Sequence, residues 1–337
     1  MAIKVNGLPP TTAPTPDRPL AKARLGCQPD TKREGAVLDG FDDHRITVPS
    51  GITLRVRQAG DGPALLLLHG YLQTHLCWHK VAPDLVTAGF RVILPDLRGY
   101  GDSDKPASDD THAPYSKRAM AQDMTELMTE LGHSCFGVAG HDRGARVAHR
   151  LARDHGDRVL AVSFLDIAPT EYMYAQTNMK FASSYYHWFF LIQPAPLPET
   201  LIGQNPEFYL TSKLNAWSRG MPSAFAPEAV ADYLRCFRET DCIHATCEDY
   251  RASATIDLDH DAADGGTKLQ MPAQVLWGEN GVVGTLYDVP EVWSRYAETL
   301  EAHPLPCGHF LPEEVPTQTA QHLTRFFKNT LAQDHDT

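Results

Sequence analysis

Residues Cys135-Phe136-Gly137-Val138-Ala139-Gly140-His141-Asp142-Arg143-Gly144-Ala145-Arg146 decide how this chain is read. A short apolar run, Cys135–Ala139, leads into a Gly-x-Asp-x-Gly turn, and a helical pattern follows it. The two glycines permit a strained strand-to-helix turn. Such a turn lifts the central side chain clear of the backbone at a helix N-terminus, where amide N–H groups and the helix dipole favour an anion. On its own the pattern could equally be a plain helix cap. Its place after a buried strand, and the residues that follow downstream, make Asp142 the candidate nucleophile.

Two of those downstream residues complete a set. Asp166 ends the apolar run Leu160–Leu165, and His309 lies in Cys307-Gly308-His309-Phe310 just before the last helical pattern. The chain order is therefore nucleophile, acid, histidine. Glu279, in Trp277-Gly278-Glu279-Asn280, ends the next strand and is a second place for the acid. Upstream, His69-Gly70-Tyr71 follows the first buried run. The backbone N–H groups of Tyr71 and Arg143 are the candidate donors to an oxyanion. Asp96-Leu97-Arg98-Gly99-Tyr100-Gly101-Asp102-Ser103 reads as a turn packed near the site, with no role assigned to its carboxylates.

Apolar runs at Leu54–Val56, Ala64–Leu68, Arg91–Leu94, Cys135–Ala139, Leu160–Leu165 and Ala273–Trp277 are the expected strands, with one more near Leu300. Helical patterns alternate with them. One is capped by Ser116 and carries Met120, Met124, Leu127 and Leu131 at helical spacing; the last runs from about Pro316 to Leu331. The alternation predicts an α/β fold with a mostly parallel sheet flanked by helices. It stops after Asp166 and resumes near Met271, and the intervening text is rich in aromatics and proline and reads as helices. The expected organisation is a core of residues 37–167 and 269–333, an inserted helical cap over 168–268, and a mobile proline-rich extension over 1–36.

A chain of 337 residues, 42% hydrophobic and 21% charged, can bury a sizeable core. Its formal charge of −12, with no basic stripe, argues against nucleic acid or an anionic membrane as partner. An anionic substrate would have to be drawn by a few local cations. The seven cysteines are odd in number and form no Cys-x-x-Cys pair, which suggests reduced thiols. No apolar run is long enough to span a bilayer and the N-terminus shows no leader pattern, so a cytoplasmic location is expected. No Cys/His cluster has metal-ligand spacing, and the chemistry below calls for no metal or organic cofactor.

Residues 45–328 resemble the fluoroacetate dehalogenases, a branch of the α/β-hydrolases. The resemblance rests on the turn quoted above with Ala145 and Arg146, on Leu165-Asp166-Ile167, Tyr186-His187-Trp188, Gln193-Pro194-Ala195-Pro196-Leu197-Pro198 and Cys247-Glu248-Asp249-Tyr250-Arg251-Ala252, and on Gly308-His309-Phe310-Leu311-Pro312-Glu313-Glu314. It implies an α/β-hydrolase fold in which Asp142 is the nucleophile, Asp166 the acid and His309 the base. It further implies that Arg143 and Arg146 hold the substrate carboxylate, that His187, Trp188 and Tyr250 form a halide pocket, and that the protein is a homodimer. Leu72 departs from the pattern, since relatives often carry Pro after His-Gly-aromatic.

Physical chemistry supports the arginines independently. Arg143 and Arg146 are three apart at a helix start, so both can face Asp142. Relatives that act on neutral haloalkanes or epoxides usually place Trp directly after the nucleophile; a guanidinium there suits a carboxylate. An aspartate nucleophile suits displacement at saturated carbon, because its ester can be hydrolysed at the carboxyl carbon and the residue regenerated. The expected reaction is hydrolytic dehalogenation of a small anionic haloacid, fluoroacetate or chloroacetate, with water. Two rivals remain at this level. One is an epoxide hydrolase using the same triad with cap tyrosines such as Tyr172, Tyr185, Tyr186 and Tyr250; the other is a catalytically silent small-ligand receptor, which would have no need of His309.

Overall fold

The computed structural model describes residues 37–331, so the proposed extension over 1–36 lies outside the described residues. Eight strands form one sheet in the order β1-β2-β4-β3-β5-β6-β7-β8, with β1 Asp42–Thr47, β2 Thr53–Ala59, β3 Ala64–Leu68, β4 Arg91–Pro95, β5 Phe136–His141, β6 Val159–Leu165, β7 Ala273–Gly278 and β8 Leu300–Leu305. From β4 through β3 to β8 every neighbour pairs in parallel, whereas β2 is antiparallel to both β1 and β4. The chain is an α/β protein of the expected kind, with each expected strand within a residue or two of its place, except that β2 extends well past Leu54–Val56. β1 is the one strand the sequence did not reveal. Its residues, Asp42-Asp43-His44-Arg45-Ile46-Thr47, are mostly exposed at the sheet edge, so no apolar run marks it.

The central strands β3 and β5 are buried along their whole length, which is why they read as continuous apolar text. Ser116 caps the helix Lys117–Glu130 by accepting from the Ala119 N–H at 3.1 Å, and Met120, Met124 and Leu127 bury its inner face. From Thr170 to Ala263 every regular element is helical, and Asp249 of this segment pairs with Arg143, the residue after Asp142. The closing helix is Pro316–Leu331. Among the described residues no helix is long and apolar enough to cross a membrane.

The turn at Asp96 is a brace for the loop beside the nucleophile. Its carboxylate accepts from the backbone N–H groups of His75 (2.8 Å) and Asp102 (3.0 Å) and lies 2.8 Å from His75 Nδ1. A side chain on Gly101 would collide with that carboxylate. The Leu97 N–H donates to His69 Nε2 at 3.0 Å, which ties this turn to the His69-Gly70-Tyr71 loop.

Candidate active site

Asp142 stands between β5 and the helix Arg143–Asp154 with φ 48° and ψ −113°, a backbone conformation that costs a non-glycine residue energy. Its flanking glycines permit the turn by close approach. A Cβ on Gly140 would lie 2.4 Å from Gly144 O, and one on Gly144 would lie 2.5 Å from Leu68 O and His69 O. Gly70 is constrained similarly, since its Cβ would meet Asp142 Cβ at 2.8 Å. That closeness lets the Tyr71 N–H donate to Asp142 Oδ2 at 2.9 Å. Arg143 is the first residue of its helix, so its N–H has no carbonyl partner within the helix.

Asp166 and His309 converge on the same point. His309 Nδ1 lies 2.5 Å from Asp166 Oδ2, and the other Asp166 oxygen accepts from the Gly278 N–H at 3.0 Å. Nδ1–H therefore donates to the carboxylate, which leaves Nε2 as the lone pair of the neutral ring. Glu279, the alternative acid, is exposed. Burial alone would push the imidazole down, but the hydrogen bond and charge of Asp166, joined by the charge of Asp142, outweigh it and hold His309 above the ordinary histidine value. Burial would likewise raise the Asp142 carboxyl. Nearby positive charge on His309, Arg143 and Arg146 overrides that and brings it down to about 2, so Asp142 is an anion at neutral pH. His141 is buried behind this pair with its pKa depressed to about 3 by burial, and its Nε2 lies 2.8 Å from the His309 carbonyl.

The two arginines are buried, and each keeps one nitrogen without a partner among the described residues. Arg143 Nε and Nη2 donate to the Asp249 carboxylate at 2.8 and 2.7 Å, and Nη2 also reaches Ser253 Oγ, while Nη1 is buried with no partner. Arg146 Nη1 donates to Ala168 O and Thr170 Oγ1 at 3.0 and 2.9 Å, and its Nε is likewise buried and unpartnered. Arg146 is thus no part of a solvated stripe; Arg150 and Arg153, further along the helix, are spent on ion pairs with Asp261 and Asp264. The guanidinium of Arg143 stacks 4.1 Å above the Tyr250 ring, and that of Arg146 lies 4.7 Å from the Trp188 ring.

His187, Trp188 and Tyr250 are all buried against this group, from two different helices, His187–Leu191 and Thr240–Ser253. His187 lies parallel to Tyr71, with ring centroids 6.0 Å apart, and burial holds it far below the ordinary histidine value, so it is neutral. His187 Nδ1 and the hydroxyls of Tyr250 and Tyr185 are buried with no hydrogen-bond partner among the described residues.

Comparisons with known proteins place the chain in a family. Residues 63–316 match the model of the alpha/beta hydrolase fold family. A fluoroacetate dehalogenase from Burkholderia sp. is 40% identical over 301 residues, covering 89% of this chain and 98% of that protein. The chain belongs to the fluoroacetate dehalogenase family of α/β-hydrolases. A soluble epoxide hydrolase from Corynebacterium sp. is 32% identical over 295 residues, covering 87% of this chain and 96% of its own length. Among solved structures, one from Nostoc sp. PCC 7120, described as an alpha/beta hydrolase, shares 54% identity with a TM-score of 0.83 and covers 85% of this chain and 98% of that one.

Leu72, named above as a departure from the family pattern, adopts φ 68°. Proline, its φ locked near −65°, could not take that conformation. Sequence reasoning also passed over Asp249. This fully buried acid grips Arg143, accepts from the Tyr100 hydroxyl at 2.7 Å and pairs with Lys117. It lies within the quoted stretch Cys247–Ala252, but nothing local signals a contact with a residue 106 positions away. Trp217 was missed too; its carbonyl accepts the His309 N–H at 3.0 Å, and a side chain on Gly308 would strike it.

Proposed function

We propose that this chain hydrolyses a small haloacid such as fluoroacetate or chloroacetate through an ester on Asp142. The observation that carries the reading is the pair of unused N–H groups, Arg143 Nη1 and Arg146 Nε, buried next to an ionised Asp142. A buried donor without a partner is costly, and a charged one more so. A carboxylate spanning the two guanidinium groups would satisfy both, whereas a neutral substrate would leave both unpaired.

With the carboxylate so held, an Asp142 oxygen attacks the halogen-bearing carbon from behind. A C–O bond forms as the carbon–halogen bond breaks, and the halide leaves with the electron pair. His187, Trp188 and Tyr250 receive it. His187 Nδ1 and the Tyr250 hydroxyl have no competing partner among the described residues. Esterification removes the Asp142 charge, one of the influences that keep His309 protonated. The ring is thereby biased to the neutral base when a base is required. Its Nε2 takes a proton from water as that water adds to the Asp142 carboxyl carbon, and the N–H groups of Tyr71 and Arg143 receive the oxyanion. Collapse expels the hydroxyacid oxygen, which takes the proton back from His309, and the Asp142 carboxyl, released in its protonated form, loses that proton to solvent and returns to the carboxylate.

The unpartnered hydroxyls of Tyr185 and Tyr250 favour one second reading, opening of an epoxide with a tyrosine as proton donor. Both readings are tested together by following fluoride release from fluoroacetate beside diol formation from styrene oxide. Fluoride release with no diol supports the haloacid reading; the reverse overturns it. In His309→Asn the ester should accumulate, so intact-protein mass spectrometry after haloacetate treatment should show a carboxymethyl adduct that Asp142→Asn lacks.

A further inference from the structure

The far edge of the sheet carries a cluster unrelated to the Asp142 site. Glu301 and His303 are two apart on β8 and so point to the same face, and His322 reaches them from the helix Pro316–Leu331. One possible ligand atom from each of the three lies within 4.8 Å of those of the other two. All three surround a single cationic nitrogen. Arg325 Nη2 lies 2.7 Å from Glu301 Oε1, 3.1 Å from His303 Nε2 and 3.5 Å from His322 Nδ1.

Hydrogen bonding does not satisfy this arrangement. His303 Nε2 is 2.9 Å from Glu301 Oε1, a contact in which it must donate, yet toward Arg325 it must accept. A neutral imidazole nitrogen cannot do both. A cation that takes a lone pair from each of the three atoms removes the conflict. Two imidazoles and one carboxylate form a donor set suited to zinc and its first-row neighbours. Ligands about 2.1 Å from a tetrahedral ion lie about 3.4 Å apart, a modest contraction for half-buried side chains. The carboxylate is already oriented from behind. Gln274 Nε2 donates to Glu301 Oε1 at 3.0 Å, and the Gln274 carbonyl is itself held by Ser163 Oγ at 2.9 Å. Arg325, with 53% of its side chain exposed, is free to swing into solvent. Sequence spacing hid the set, because its members come from a strand and a helix nineteen residues further on.

We propose that Glu301, His303 and His322 form a binding site for a divalent transition-metal ion of the zinc type, with Arg325 as a built-in cation that occupies it in the metal-free state. A bound ion would replace Arg325 and fasten the edge strand β8 to the last helix. The test is calorimetric titration of chelator-stripped full-length protein with zinc chloride, with cobalt(II) absorption as a second readout. The wild type should bind one equivalent that His303→Ala and His322→Ala each lose. Arg325→Ala should bind that equivalent about tenfold more tightly, roughly 1.4 kcal/mol. Zinc should raise the melting temperature of the wild type and of Arg325→Ala, but not of the histidine variants. Equal zinc stoichiometry in the wild type and both histidine variants would overturn the proposal, as would binding that appears only after Arg325 is removed. Far-UV circular dichroism of the variants identifies any that fail to fold, and Glu301→Gln, close in shape to the native residue, then serves as the replacement.

Discussion

At the strand ends, Asp142 and Asp166 accept hydrogen bonds from the Tyr71 N–H and the Gly278 N–H, and His309 donates one to the Asp166 carboxylate. The helices that face them bring the opposite condition. His187 Nδ1 and the hydroxyls of Tyr185 and Tyr250 are buried and have no hydrogen-bond partner among the described residues. The difference separates two tasks. In the mechanism proposed above, the groups that change bonds are fixed before substrate arrives, while the groups that receive charge are stored unpaired. Arg143 belongs to both sides, since Asp249 fixes most of its guanidinium and one N–H remains.

Tyr250→Phe should separate the two conditions most sharply. Losing a preorganised donor of this kind costs about 2.7–4 kcal/mol in the transition state, so fluoroacetate turnover should fall by about a hundredfold to a thousandfold. Chloroacetate, whose halide leaves more readily, should lose clearly less. The melting temperature should hold steady or rise, because a buried unpaired hydroxyl has gone. Equal losses for the two haloacids would make Tyr250 a packing residue.

Arg146→Met should lower kcat/KM for haloacids by about tenfold to a hundredfold, since a charge-assisted hydrogen bond contributes about 1.5–3 kcal/mol. Arg143→Met should match it kinetically but also lose stability, because removing one partner of a buried ion pair costs about 3–5 kcal/mol. Thermal denaturation of the two variants checks this; equal stability would mean that Asp249 is satisfied without Arg143.

A smaller effect concerns protons. An NMR titration of His309 should give a midpoint above about 6.5, the ordinary histidine value. Asp142→Asn should move it down, since that carboxylate is one of the charges that raise it. No movement would remove the electrostatic link between nucleophile and base.

The smallest expected effect lies behind the Tyr71 loop. Burial raises the Glu313 carboxyl to about 8, against an ordinary carboxylate. Its protonated form is favoured on folding, so its contribution is complete below the unfolded value of about 4.3 and is lost as pH rises toward 8. Glu313→Gln should therefore lose less melting temperature than the wild type between pH 6 and pH 9. Parallel curves would show that Glu313 is ionised throughout.

What the sequence disclosed follows from where each signal lies. Strands buried on both faces, such as β3 and β5, leave unbroken apolar text, and the order of Asp142, Asp166 and His309 can be read along it. β1 left no such trace because its side chains face solvent at an edge. Asp249 was hidden for another reason, as its partners Tyr100, Lys117 and Arg143 meet it only across the folded interior. The unpaired state of Arg143 Nη1 or Tyr250 Oη is a property of three-dimensional surroundings and has no local text at all.

The hydrogen bond from the His309 N–H to the Trp217 carbonyl carries a consequence for how substrate enters. Trp217 ends the helix Pro206–Trp217, which lies among the overlying helices, while His309 belongs to the loop after β8. Those helices cannot lift away as one piece without unhooking the base from its mooring. Under the proposed mechanism, a conformation with those helices lifted away would be a disarmed one, able to admit a haloacid but without the base in place to hydrolyse the ester intermediate. A route in and out that rearranges only side chains beneath those helices would keep His309 moored.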